Sequence, residues 1–359
     1  MTMTPTRSTR SPEVEQPKET RMTGRAPRMT VNDFQQKFDA IVANVSTVIK
    51  GKEDAIRLIL TAMLAEGHVL LEDMPGTGKT MLARSLSQSI DAQTSRIQCT
   101  PDLLPSDVTG SPVLDLQTHK FVFREGPVFN NVLLVDEVNR ATPKTQAALL
   151  EAMQEKRVTV DGITHNLPVP FIMLATQNPI ELAGTFPLPE AQLDRFLLKL
   201  SLGYPDREAE AEMMDANRVQ EAIGRLVAVT NTAEVIAMQD WAKENVELGE
   251  PVKLYIIDVC QATRSDTSLM IGASPRASLA LMRVGRVRAA SQGRLQVYPD
   301  DIRAVLIPVL AHRVILTADA QLRDDTVDKV VDRILSRVRV PLGLGEEKTP
   351  AVAGAGAQG

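Results

Sequence analysis

Short apolar runs alternate with amphipathic stretches over the first two hundred residues, and the alternation then stops. The runs fall at residues 68–72, 96–99, 132–135, 171–175 and 196–200. Each is too short for a helix core and rich in Val, Leu and Ile. Joined by helical segments, they predict the strands of a parallel sheet buried on both faces. Residues 31–48 carry Phe34, Phe38, Ile41 and Val42 at helical spacing. Residues 53–66, after Gly51, and residues 81–90 repeat that period. Two stretches break the rhythm. Residues 112–116 and 120–124 read as paired strands around Gln117-Thr118-His119, and residues 157–160 and 164–167 flank Asp161-Gly162, a strong hairpin turn. A strand–helix alternation needs neither hairpin for its stability, so both point to an added function.

Beyond Tyr204-Pro205-Asp206 only helical patterns are visible, at residues 208–219, 232–243, 252–263, 275–291, 299–312 and 325–338. The expected organisation is a basic tail over residues 1–30, an α/β core over 31–203, an all-helical domain over 204–340 and a Gly/Ala tail over 341–359, with both tails disordered.

Composition narrows the class without naming the chemistry. No run approaches the eighteen apolar residues of a membrane span, so membrane insertion is not expected. The first thirty residues lack the apolar region of a signal peptide. Cys99 and Cys260 are the only cysteines, and four histidines are scattered, so neither a disulfide scaffold nor a metal cluster is indicated and a cytoplasmic setting fits. The net charge is −5, with six Lys/Arg against three Glu in the first thirty residues, which leaves the body at about −8. An acidic body with 3% aromatic residues argues against a nucleic-acid partner, which needs cationic tracks and stacking platforms.

The chemistry is carried by Pro75-Gly76-Thr77-Gly78-Lys79-Thr80. An apolar strand enters this turn and a helix leaves it, which is the arrangement of a phosphate cradle. Backbone N–H groups from Gly76 to Lys79 would face a β-phosphate. Lys79 would reach the β- and γ-phosphates, and the Thr80 hydroxyl would join an Mg²⁺ shell. Met81 follows at the wall of the same site. The general pattern begins with Gly where this chain has Asp73, a residue type that tolerates positive φ, so a tight turn can still form. Val132 to Val135 runs into Asp136-Glu137, two acids at the carboxyl end of a buried strand, where open α/β sheets bind ligands. Asp136 is the candidate metal holder, and Glu137 is the candidate for orienting an attacking water. Asn178, at the end of the next apolar strand, could face the γ-phosphate or that water, or serve only as a turn residue before Pro179.

The stretches Leu71 to Thr80, Asp136 to Ala141, Lys144 to Glu155, Ala175 to Pro179 and Gly184 to Phe196, in this order, resemble the MoxR family of AAA+ ATPases. The resemblance runs from about Phe34 to about Val340. Asp73 is usual in that family at the first glycine position, whereas Lys52 stands where many members have Gln, near the adenine side. The resemblance implies a P-loop NTPase fold of the AAA+ type: a five-stranded parallel sheet with a C-terminal helical lid. It implies ATP and Mg²⁺ as ligands, Asn178 as sensor 1, Arg195 as the arginine finger that reaches ATP bound by the next subunit, and Arg276 as sensor 2. A planar guanidinium suits the charge that develops on transferring phosphoryl oxygens. Without the resemblance, Arg195 reads as the partner of Asp194 in a surface ion pair and Arg276 as a solvated first-turn residue. The two hairpins correspond to the helix-2 insert and the pre-sensor-1 hairpin. His312-Arg313 also matches, with His312 read as a packing histidine.

A homo-oligomeric ring, expected as a hexamer, follows from the resemblance. So do chaperone-like remodelling or metal-cofactor maturation of a client protein and a von Willebrand factor A domain partner. A chelatase-type or nucleic-acid motor, a P-loop kinase and a non-hydrolysing scaffold are the competing readings. The Leu193-Asp194-Arg195-Phe196 element argues against the kinase, and Glu137 argues against the scaffold.

Overall fold

The computed structural model describes residues 29–74, 76–178, 184–204, 207–214 and 224–341. Both expected tails, Pro75, the Pro179 end of its motif and the second half of the helix expected at 208–219 lie outside the described residues.

Nine strands precede the lid: β1 (Val69–Glu72), β2 (Thr94–Gln98), β3 (Gly110–Asp115), β4 (Lys120–Glu125), β5 (Val132–Asp136), β6 (Arg157–Val160), β7 (Ile163–Asn166), β8 (Ile172–Gln177) and β9 (Leu198–Leu200). Five form one sheet in the order β2-β5-β8-β1-β9, and every pairing in it is parallel. Side chains alternate across the sheet, which splits the core in two. Val69, Leu71, Val132, Leu134, Ile172 and Leu174 enter one apolar cluster, and Leu70, Leu133, Val135, Met173 and Ala175 enter the other. The first cluster also takes Phe34, Phe38 and Ile41 of the Val31–Ser46 helix and continues into the helices after residue 230. Lid and sheet therefore share one core.

Local signals set the helix starts. Thr30 forms a reciprocal capping box with Asp33. Thr142 and Ser274 cap helices that begin at Pro143 and Pro275, where a missing N–H is harmless. The lid is helical, as expected, except for an antiparallel pair formed by Leu269–Ile271 and Ile315–Leu316, runs too short to carry a period-2 signal. Both hairpins form, β3 with β4 and β6 with β7, the second through Asp161 and Gly162 at positive φ.

His68 is the buried hinge pin at the start of β1. Its Nε2 donates to the Met153 carbonyl at 3.0 Å and its Nδ1 accepts from the Met173 N–H at 3.0 Å, so the ring is neutral. His312 is buried as well, its Nε2 donating to the Phe196 carbonyl at 2.9 Å. Burial pushes both imidazoles down to about 3. The unfolded chain binds these protons near pH 6.5, and the folded chain does not until about 3. Stability is therefore full above pH 6.5 and falls as pH drops below it, by up to about 1.4 kcal/mol per pH unit for each histidine. Urea unfolding between pH 7.5 and 5 is expected to show this slope, and His68→Gln is expected to reduce it. A flat profile over that range would refute the assignment.

Candidate active site

The carboxyl ends of β1, β5 and β8 converge on a cavity of about 410 Å³. Gly76 and Gly78 lie at its floor with φ of +84° and +83°, a region closed to most side chains, while a Cβ on either would meet nothing within 4 Å. Their role is to bend the backbone so that N–H groups face inward. Gly78 then caps the Lys79–Ser89 helix without a side-chain acceptor, which leaves the first-turn donors for a ligand. Thr77, Lys79, Thr80 and Met81 line the same cavity, as do Asp136, Glu137 and Asn178. Lys79 Nζ donates to the Asp73 and Met74 carbonyls at 3.1 and 3.2 Å, which holds the ammonium over the loop.

Asp73 does not act as the sequence suggests. It is buried and is not among the positive-φ residues. Its carboxylate accepts from Ser201 Oγ at 2.7 Å and from the Leu202 and Gly203 N–H groups at 2.8 and 2.9 Å. An acid at this position anchors the loop to the segment leaving β9, a task that a glycine cannot perform. Lys52 Nζ donates to the neighbouring Tyr204 carbonyl at 2.7 Å.

The two strand-end acids are held by a chain of contacts. Arg96 Nε reaches Asp136 Oδ2 at 2.6 Å, and Arg96 Nη2 donates to Gln98 Oε1 at 3.0 Å. Gln98 Nε2 donates to Glu137 Oε2 at 3.1 Å, and Arg140 Nη1 pairs with the same oxygen at 3.0 Å. Glu137 sits at φ +55°, a strained position for a non-glycine residue, and its N–H donates to Thr176 Oγ1 at 2.9 Å. Thr176 Oγ1 lies 3.4 Å from Asp136 Oδ1, so β8 orients both acids. Arg96, Gln98, Arg140 and Thr176 were not legible as site residues. Only a period-2 reading of β2, which turns Arg96 and Gln98 to the same face, offered a signal.

Arg195 and Arg276 do not line this cavity. They face a separate cavity of about 230 Å³ shared with Arg283, at the end of the sheet where His68 leads into β1. Arg195 Nε is buried with no hydrogen-bond partner. The surface pair of Arg195 with Asp194 does not form; Asp194 is bound instead by Arg313, whose side chain is only 3% exposed.

Residues 68–198 match the family described as ATPase family associated with various cellular activities (AAA), and residues 261–334 match the AAA lid domain. The chain is 46% identical to the YeaC protein of Bacillus subtilis, covering 86% of this chain and 97% of that one. It is 38% identical to the chaperone MoxR1 of Mycobacterium tuberculosis, over 85% of this chain and 82% of that one. With the MoxR protein of Paracoccus denitrificans it shares 30% identity over 87% and 98% of the two chains. A crystal structure from Cytophaga hutchinsonii superposes with a TM-score of 0.81 at 36% identity, covering 87% of this chain and 97% of the other. Two matched domains, near-complete overlap with these relatives and the parallel sheet with its helical lid place the chain in the MoxR family of AAA+ ATPases.

Proposed function

We propose that this chain is an Mg²⁺-dependent ATPase whose site is completed by a neighbouring copy. One observation carries the reading: the cradle, Asp136 and Glu137 stand at one end of the parallel sheet, and Arg195 with Arg276 stand at the other. β1 alone has four residues and separates the two ends by roughly 13 Å. A finger arginine on that far end serves the phosphates of an adjacent copy, not those of its own cradle. A closed ring of such head-to-tail contacts, a hexamer, satisfies every cradle and every finger.

The residues divide the work. The turn from Gly76 to Gly78 and the first helical N–H groups receive the β-phosphate. Lys79 exchanges its two carbonyl partners for phosphate oxygens. Thr80 and Asp136 would hold Mg²⁺, with Asp136 freed from its contact to Arg96. When bound, Mg²⁺ neutralises charge on the β- and γ-oxygens. Glu137, released from Gln98 and Arg140, orients the attacking water, with Asn178 beside the γ-phosphate. The neighbour's Arg195 and Arg276 meet the charge that develops on the transferring group. The adenine fits beside Ile49, Gly51 and Ser201, where a second cavity adjoins the Asp73 anchor.

The client side of the proposal rests on the hairpins and on the relatives. Leu116, Phe121 and Ile163 project from the hairpins at 77%, 74% and 62% exposure, an apolar display suited to protein contact. Phe123 stacks on His165 with centroids 4.0 Å apart, so the two hairpins touch. The chaperone name of the mycobacterial relative supports remodelling or cofactor maturation of a client protein. We also propose a von Willebrand factor A domain partner, on the family resemblance alone. No helix among the described residues is long and apolar enough to cross a membrane, and both cysteines are free, as suits a cytoplasmic machine.

Lys79→Ala is expected to abolish binding of a fluorescent ATP analogue; unchanged affinity would remove the cradle assignment. Glu137→Gln should retain ATP affinity and lose turnover, and normal phosphate release would exclude it as the water-orienting group. Arg195→Ala should lose roughly 10³-fold in turnover while still binding ATP. Mixing it with Lys79→Ala subunits should restore activity, because their intact fingers then face intact cradles. No recovery in verified mixed rings would contradict the trans arrangement.

A further inference from the structure

His312-Arg313 has no place in the chemistry above, yet it makes the densest set of polar contacts between lid and core. Arg313 Nε donates to Asp194 Oδ1 at 2.9 Å, and Nη1 donates to the Leu197 carbonyl at 3.0 Å. Nη2 reaches the Phe196 carbonyl, which also accepts from His312 Nε2 at 2.9 Å. Asp194, Phe196 and Leu197 flank Arg195 on both sides. One lid dipeptide thus fixes the backbone that carries the finger. The other carboxylate oxygen of Asp194 accepts from Ser274 Oγ at 3.0 Å. Ser274 caps the Pro275–Ser291 helix and accepts from the Arg276 N–H at 3.2 Å. Asp194 therefore ties together the two arginines that share the far cavity.

Packing alone does not account for such a pair. A buried guanidinium demands a counter-charge and several acceptors, and an apolar side chain of similar volume fills space without them. What the planar fork adds is orientation: it holds acceptors on Asp194, Phe196 and Leu197 in fixed directions. Nor does Arg313 face the phosphates, since its donors are committed to residues 194–197 and to the Val309 carbonyl.

We propose that Asp194 and Arg313 are positioning residues that bind Arg195 and Arg276 into one unit with the lid. The two arginines therefore face the triphosphate held by the next copy from one fixed platform. The inference rests on the trans reading above.

Asp194→Asn keeps the shape of the side chain and removes its charge. ATP affinity at the variant's own cradle is expected to stay within about twofold, while turnover of assembled protein falls about 10- to 100-fold. In a background that lacks both arginines, Arg195→Ala with Arg276→Ala, the same substitution should cost nothing further, since the clamp acts only through those two side chains. Mixed with Lys79→Ala subunits, Asp194→Asn should recover activity as Arg195→Ala does. A general packing defect would instead add to the double arginine substitution and would not be rescued, and either result overturns the clamp. Should Asp194→Asn fail to fold, Ser274→Ala loosens only the Arg276 side. It is expected to lower turnover several-fold, with no added effect on Arg276→Ala; unchanged turnover or full additivity there would also overturn the clamp. If Arg195→Ala with Lys79→Ala gives no rescue, the trans reading itself falls. If that pair is rescued and Asp194→Asn is not, only the clamp falls.

Discussion

The parallel register of β5, β8 and β1 is the constraint on which the rest of the molecule depends. Val135 faces Ala175, and Leu71 faces Thr176, so three strands end at one edge within a residue of one another. That edge receives the glycine turn from β1, the Asp136-Glu137 pair from β5 and Thr176 to Asn178 from β8. A one-residue slip of β8 would turn Thr176 away from both acids and exchange the two apolar clusters. The buried Val, Leu and Ile residues of the three strands forbid that slip, because each face of the sheet has its own core to fill. Packing fixes the chemistry here, and the hydrogen bonds refine it.

The same edge gathers like charges, and the structure manages them with short internal contacts. Asp136 is about 10% exposed and answered by Arg96, while Glu137 is answered by Arg140 and Gln98. Lys79 is held by two carbonyls of its own loop. Each of these contacts is exchangeable. The site is preorganised but satisfied, so a ligand gains only the difference between its own contacts and those it displaces. At the opposite edge the balance differs. Arg195, Arg276 and Arg283 share a cavity in which Asp194 is already bound by Arg313 and Ser274. Positive charge is in excess among the residues that line that cavity.

Most of the core was legible because it rests on local pattern. Short continuous apolar runs, the glycine turn and the Asp-Gly hairpin specify themselves within a few residues, and they marked β1, β5, β8 and both hairpins to within a few residues at each end. What could not be read depends on partners distant in sequence. Asp73 reads as a turn residue, because nothing near it announces Ser201 or Gly203 as its partners. Arg96 reads only as the first residue of a short strand. Arg195 reads as the partner of the acid beside it, when the acid's true partner lies 119 residues further on. The lid's small strand pair was missed because neither run is long enough to show a period.

The central claim is that a triphosphate is gripped by one copy and triggered by the next. Specific ATPase activity measured against protein concentration, with the oligomeric state followed in the same samples, tests it most directly. The account predicts that activity per copy falls steeply as the assembly dissociates and is close to absent in the monomer. Activity per copy that stays constant down to the monomer would contradict it.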